Sequence, residues 1–160
     1  MYRQIDLLLK YGIIDFEITG GEPGLCNKLS TYCKYIKEKS PLSKIAVITN
    51  GELHRQTDAF EYIDEVLVSY HTSRYVEPDK AIFPKGDTYD KVLATVNLAK
   101  QHKLLVRTNT VVGIFNIEYL DKIILEICTT FKPDIINFLP LNIFDEAANM
   151  SMHIDYTGCF

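Results

Sequence analysis

No run of apolar residues in this 160-residue chain approaches the ~20 needed for a helix to cross a bilayer. The N-terminus, "MYRQIDLLLKYG", is interrupted by Arg3, Asp6 and Lys10 too often to form a signal-peptide core. No block of Lys or Arg points to nucleic acid or acidic lipid, and the net charge is −4. No two of Cys26, Cys33, Cys128 and Cys159 stand in Cys-x-x-Cys spacing, which argues against a zinc ribbon or a dithiol redox motif. Cys26 and Cys33 on one helix would lie about two turns, or roughly 10 Å, apart, too far to share one metal. The plain reading of Cys26, Cys33 and Cys128 is small core residues. Repeats, low-complexity tracts and evident linkers are also missing. Together these features predict a cytoplasmic protein without membrane or nucleic-acid partners.

What is present is a core-forming composition, 47% hydrophobic, enough for a single domain or part of one. "IIDFEIT" (13–19), "KIAVIT" (44–49), "DEVLVSY" (64–70), "LLVRTNTVV" (104–112) and "DIINFLP" (134–140) are short, rich in Ile, Val, Leu and Phe, and bounded by turn residues. That is how buried parallel strands read. Between them the apolar period is near 3.6. Leu120, Ile123, Ile124, Ile127, Cys128 and Phe131 share one helical face, with Asn116 as N-cap and Pro133 as the stop. Tyr89, Val92, Leu93, Val96 and Ala99 form another after a cap at Asp87 or Thr88. Leu29, Tyr32, Cys33 and Ile36 form a third. Ile5, Leu8 and Leu9 form a fourth, closed by Gly12 at C′. Leu53 to Ile63 is read as a fifth helix. The order α-β-α-β-α-β-α-β-α-β predicts an α/β domain, either a doubly wound sheet or part of a parallel (β/α) barrel. The connection from His71 to Asp87 is long and carries Pro78, Pro84 and Gly86, as a lid or binding loop would. The chain opens on a helix with no strand before it and closes at "DYTGCF", so a truncated domain is expected.

In parallel α/β folds, ligands bind at the C-terminal ends of the strands. Those positions here are Thr19-Gly20-Gly21-Glu22-Pro23, Thr49-Asn50-Gly51, Ser69-Tyr70-His71, Arg107 to Thr110, and Pro140-Leu141-Asn142. Glycines at 20 and 21 let the main chain approach a ligand without Cβ interference. A ligand ammonium could be held by carbonyls of this turn and by Glu22. Equally, Pro23 could simply begin a helix whose dipole Glu22 complements.

"TGGEP" after one strand, "TNG" after the next and Ser at the end of the third resemble the radical S-adenosylmethionine (radical SAM) superfamily. "GDTYDKVLATVNLAKQHKLLVRTNTVVGIFN" is similar to that family's helix and fifth strand, and "INFLPLN" to its sixth. The resemblance covers Tyr2 to about Asn142. It implies a radical SAM-like (β/α)6 partial barrel lacking its first strand, with residues 143–160 as an incomplete extension. It further implies that Gly20, Gly21, Glu22 and Pro23 hold the methionine ammonium of S-adenosyl-L-methionine (SAM). Ser69 and Asn109 would meet its ribose or carboxylate, with strand-end cap and structural amide as their alternatives. Main chain near Leu139 and Pro140 would lie against adenine. His71 is read as a loop histidine or a substrate contact. His54, His102 and His153 have no evident partner.

In that family a [4Fe–4S] cluster, held by a Cys-x3-Cys-x2-Cys loop, reductively cleaves SAM to start hydrogen abstraction from substrate. This sequence contains no such triad, so no metal ligand is expected. The expected parent is a full-length enzyme that also carries the cluster and takes electrons from a ferredoxin or flavodoxin. Its substrate, a peptide or small molecule, is not readable, and no catalytic residue is assigned. The isolated chain is expected to be inactive and to bind SAM weakly. The alternatives are a degenerate, non-catalytic nucleoside- or peptide-binding α/β domain, and an unrelated α/β domain whose GGEP is only a turn.

Overall fold

A computed structural model of the chain describes residues 1–76 and 88–141. Most of the long connection after His71, the residue Asn142, the 143–160 extension, His153 and Cys159 lie outside the described residues. The described elements are α1 (Tyr2–Lys10), β1 (Asp15–Ile18), α2 (Leu29–Lys39), β2 (Lys44–Thr49), β3 (Glu65–Ser69), α3 (Tyr89–Gln101), β4 (Leu105–Val112), α4 (Leu120–Glu126) and β5 (Ile135–Pro140).

The five strands form one parallel sheet in the order β1-β2-β3-β4-β5. Every strand pairs with its chain neighbour, so there is no reversal of strand order and the doubly wound alternative is excluded. The sheet is open, and β1 and β5 are its edges. Sequential parallel strands joined by right-handed crossovers carry their helices on one face. Burial alternates accordingly along β2 and β4. Ile45, Val47, Val66, Val68 and Val106 point to the helices and pack with Cys33, Ile36, Val92, Val96, Ile127 and Phe131. The residues between them line the opposite face, which is helix-free among the described residues.

The helix ends follow from local chemistry. At the end of α1, Gly12 has φ 79°, its N–H donates to the Leu9 carbonyl (3.0 Å), and the Ile13 N–H donates to the Leu8 carbonyl (3.1 Å). This is the Schellman closure expected of a C′ glycine. At the same end of the sheet, two aspartates start strands in a common way. Asp64 Oδ2 accepts the Ile45 N–H (2.8 Å) and Asp134 Oδ2 accepts the Val106 N–H (2.8 Å). Each carboxylate ties the residue before one strand to the start of its neighbour.

Three sequence expectations are corrected. Leu53–Ile63 is not an α-helix but two 3-10 turns, Glu52–Arg55 and Thr57–Glu61, parted by Gln56 at φ −112°, ψ 56°. The buried stripe of α4 is narrower than its pattern suggested. Ile123, Ile127 and Phe131 are buried, whereas Ile124 and Cys128 are exposed, because β5 is an edge of the sheet and no further helix among the described residues meets them. Cys26 is exposed as well, on the loop before α2; Cys33 alone of the described cysteines is core.

Candidate functional site at the C-terminal strand ends

The turn after β1 is built from two left-handed glycines, Gly20 at φ 95° and Gly21 at φ 51°. Both are exposed, and a Cβ on either would meet nothing within 4 Å. Packing therefore does not demand glycine here. The backbone conformation does, and the result is a stretch of bare main chain facing open space. Pro23 is buried and opens a 3-10 turn, Pro23–Leu25, with Glu22 as its N-cap. Gly24 packs against the main chain of Glu52, where a Cβ would come within 2.3 Å of the Glu52 carbonyl carbon. Nothing in the local pattern foretells that contact, since Gly24 and Glu52 stand 28 residues apart.

The carboxylate of Glu22 is taken up by the fold. Oε1 accepts the Gly24 N–H (2.9 Å) and the Thr49 hydroxyl (2.6 Å), and Oε2 accepts the Asn50 N–H (2.8 Å). It fixes the glycine turn to the end of β2. Thr49 Oγ1 accepts the Gly51 N–H (3.0 Å), and the Gly51 carbonyl accepts the Thr95 hydroxyl (2.6 Å). The "TNG" segment thus connects β1, β2 and α3. Below it, Lys91 and Arg55 flank the buried Glu52, and the Lys91 hydrogen bond in particular holds that carboxyl below the usual range.

Ser69, Asn109 and Asn137 occupy one rung across β3, β4 and β5. Their side chains share the helix-free face, and Asn137 Nδ2 donates to Asn109 Oδ1 (2.9 Å). Asn137 was not singled out from sequence, because its partner lies 28 residues away. One rung further out, the Val111 N–H donates to His71 Nδ1 (3.1 Å). Asn116 is fully buried and does not cap the helix it precedes. Its Nδ2 donates to the carbonyls of His71 (3.1 Å) and Val111 (2.8 Å), and its Oδ1 accepts the Gly113 N–H (3.0 Å). Burial holds the His71 imidazole below its ordinary value, hence neutral. Behind this segment the Tyr70 hydroxyl donates to Glu126 Oε2 (2.7 Å). Arg74 Nε lies 3.2 Å from Glu126 Oε1, with its guanidinium over the Tyr89 ring.

An apolar groove of about 380 Å³ runs between α1, β1 and α2, past Leu8, Phe16, Ile18 and Tyr32, and ends at Gly20, Glu22 and Cys26. Among the described residues no three His, Cys, Asp or Glu side chains come together as a metal site. Burial pushes the Cys33 thiol up to about 12, so it stays protonated, and the cysteines described do not fit a cluster. No helix among the described residues is long and apolar enough to cross a membrane.

A sequential open parallel sheet with a bare glycine turn at its first strand end has the architecture of a partial parallel (β/α) barrel. Solved structures share this fold, two of them with bound peptides. One is Streptococcus suis SuiB bound to precursor peptide SuiA, with TM-score 0.64 and 17% identity over 89% of this chain. The other is native anSMEcpe with bound AdoMet and the Kp18Cys peptide, with TM-score 0.56 and 22% identity over 79% of this chain. The chain spans 32% of the SuiB chain and 37% of the anSMEcpe chain. No family model matches the sequence, and no curated protein does.

Proposed function

We propose that the chain binds SAM over the C-terminal ends of its strands, as the core of a radical SAM protein that acts on a peptide. The observation that carries this reading is the Gly20–Gly21 turn, whose main chain lies open where a side chain would otherwise project. In this reading the bare main chain meets the methionine ammonium, while Glu22 and Pro23 hold the turn in place. Ser69 and Asn109 meet the ribose or carboxylate from the facing strands, and main chain at Leu139 and Pro140 borders the adenine. AdoMet in anSMEcpe and peptides in both neighbours support the ligand and the substrate class. SAM supplies a cleavable sulfonium; no step of its cleavage is assigned to this chain, whose described residues hold no cluster ligands.

The test is a SAM titration of the 15N-labelled chain, with S-adenosylhomocysteine as comparison. The expected dissociation constant is on the order of 1 mM, about 4 kcal/mol of binding, since only protein contacts contribute. Amide shifts should centre on Gly20, Gly21, Asn50, Ser69 and Asn109. Saturable shifts mapping elsewhere, or none at all, refute the reading.

A further inference from the structure

We propose that His71 is a substrate-reading residue, a fixed Nε2–H donor for a neutral carbonyl oxygen such as that of a peptide main chain. The inference rests on the SAM-binding reading only for what lies beside it. His71 follows Ser69 by two residues, just past the end of β3, and the Val111 N–H brings its ring to β4 two residues beyond Asn109. A ligand seated on the Ser69–Asn109–Asn137 rung leaves His71 facing whatever lies beyond it.

The main chain that carries the imidazole is held on both sides of its Cα. The Tyr70 N–H donates to the Asn109 carbonyl (3.0 Å), the Thr110 hydroxyl donates to the Tyr70 carbonyl (2.7 Å), and Asn116 holds the His71 carbonyl. The Val111 N–H can only donate, so Nδ1 is the acceptor and the neutral ring carries its proton on Nε2. Among the described residues Nε2 has no partner, and the residue is half-buried rather than sealed. It therefore presents one oriented N–H. Its surroundings select the charge of the acceptor. Ser69, Asn109, Val111 and Asn137 are neutral, and Arg74, on the same segment, is committed to Glu126 and the Tyr89 ring. A carboxylate placed here would lose hydration without gaining a cation, whereas an amide carbonyl would lose far less.

The experiment uses the full chain with 15N-labelled histidine. Long-range 15N–1H spectra are expected to show His71 as the Nε2–H tautomer at neutral pH. Acetyl-triglycine methylamide, added with and without SAM, should move the Nε2 signal saturably, and sodium acetate at equal concentration should not. His71→Asn retains an acceptor for the Val111 N–H, but its shorter amide cannot place a donor where Nε2–H stands. It should melt as the parent does and bind the amide probe roughly two- to tenfold more weakly. A proton on Nδ1, a signal unmoved by the amide, or acetate binding as well as the amide overturns the proposal. Amide binding without SAM binding sustains it while refuting the SAM reading.

Discussion

The carboxylate of Glu22 accepts hydrogen bonds from Gly24, Thr49 and Asn50, and a glutamine cannot replace it. Glu22→Gln turns one oxygen into a donor and sets it against an N–H or a hydroxyl. The variant should lose about 1–3 kcal/mol in urea unfolding, with the midpoint lowered and the slope unchanged. An unaltered midpoint would show that the carboxylate is not bracing the turn. His71 titrates in a separate way. Burial holds its folded-state value below the ordinary 6.5, so below that pH the unfolded chain takes up a proton that the folded chain does not. This unfavourable linkage is absent above about 6.5 and grows as pH falls towards the folded value. Between about pH 7.5 and about pH 5.5 the parent should therefore lose more stability than His71→Asn, as thermal melts at the two pH values would show. Gly20 and Gly21 were legible in the sequence because paired glycines after a strand have few uses. The task of Glu22 was not, because its partner Thr49 is 27 residues distant and only strand pairing brings it near.

At the scale of the elements, the strands were legible within a residue or two, because a parallel strand buried against helices reads as a short Ile/Val run. The 53–63 segment was not. Leu53, Ala59, Phe60 and Ile63 are all buried, as a helical stripe would be, yet they are carried by two short turns pinned from outside. The His54 N–H donates to Thr95 Oγ1 and Gln56 Nε2 to the Gly24 carbonyl, contacts that local periodicity cannot register. Strand starts offer a further test. Burial opposes the ionisation of Asp64, but the Lys37 ammonium at 2.7 Å, the Ile45 N–H and the charge of Lys44 outweigh it and hold the carboxyl below 3.8. A depressed carboxylate contributes its stability above its unfolded value and loses it as pH falls through the folded one. Asp64→Asn should therefore cost about 1–3 kcal/mol at neutral pH. Its deficit relative to the parent should shrink once the pH is below the ordinary aspartate value, as urea midpoints in the two conditions would reveal. A deficit that stayed constant would mean that Asp64 acts by shape rather than charge.

For the whole molecule the governing fact is an open sheet. Parallel sheets occur almost only with both faces covered, yet among the described residues helices cover one face and no strand pairs with either end of the sheet. Beside β1 the side chains of Ile13 and Ile14 are 44% and 46% exposed, and Leu7 and Leu8 of α1 lie open nearby. On β5, Phe138 and Leu139 are exposed too. An unpaired edge next to apolar side chains is a template for pairing with another chain, and charge is the usual guard against it. The isolated chain should therefore self-associate through the β1 side, with a weight-average sedimentation coefficient that rises with concentration. Ile14→Lys leaves the Ile14 carbonyl free to accept the Lys44 N–H as before, because that bond is made by the main chain. It replaces a side chain whose burial between chains is worth about 1.5–3 kcal/mol, so the association constant should fall at least about tenfold. Melting of the variant at low concentration should match the parent. If the parent sediments as a single monomeric boundary at every concentration, the β1 edge is protected in solution. Association that Ile14→Lys leaves unchanged would place the contact at β5 instead.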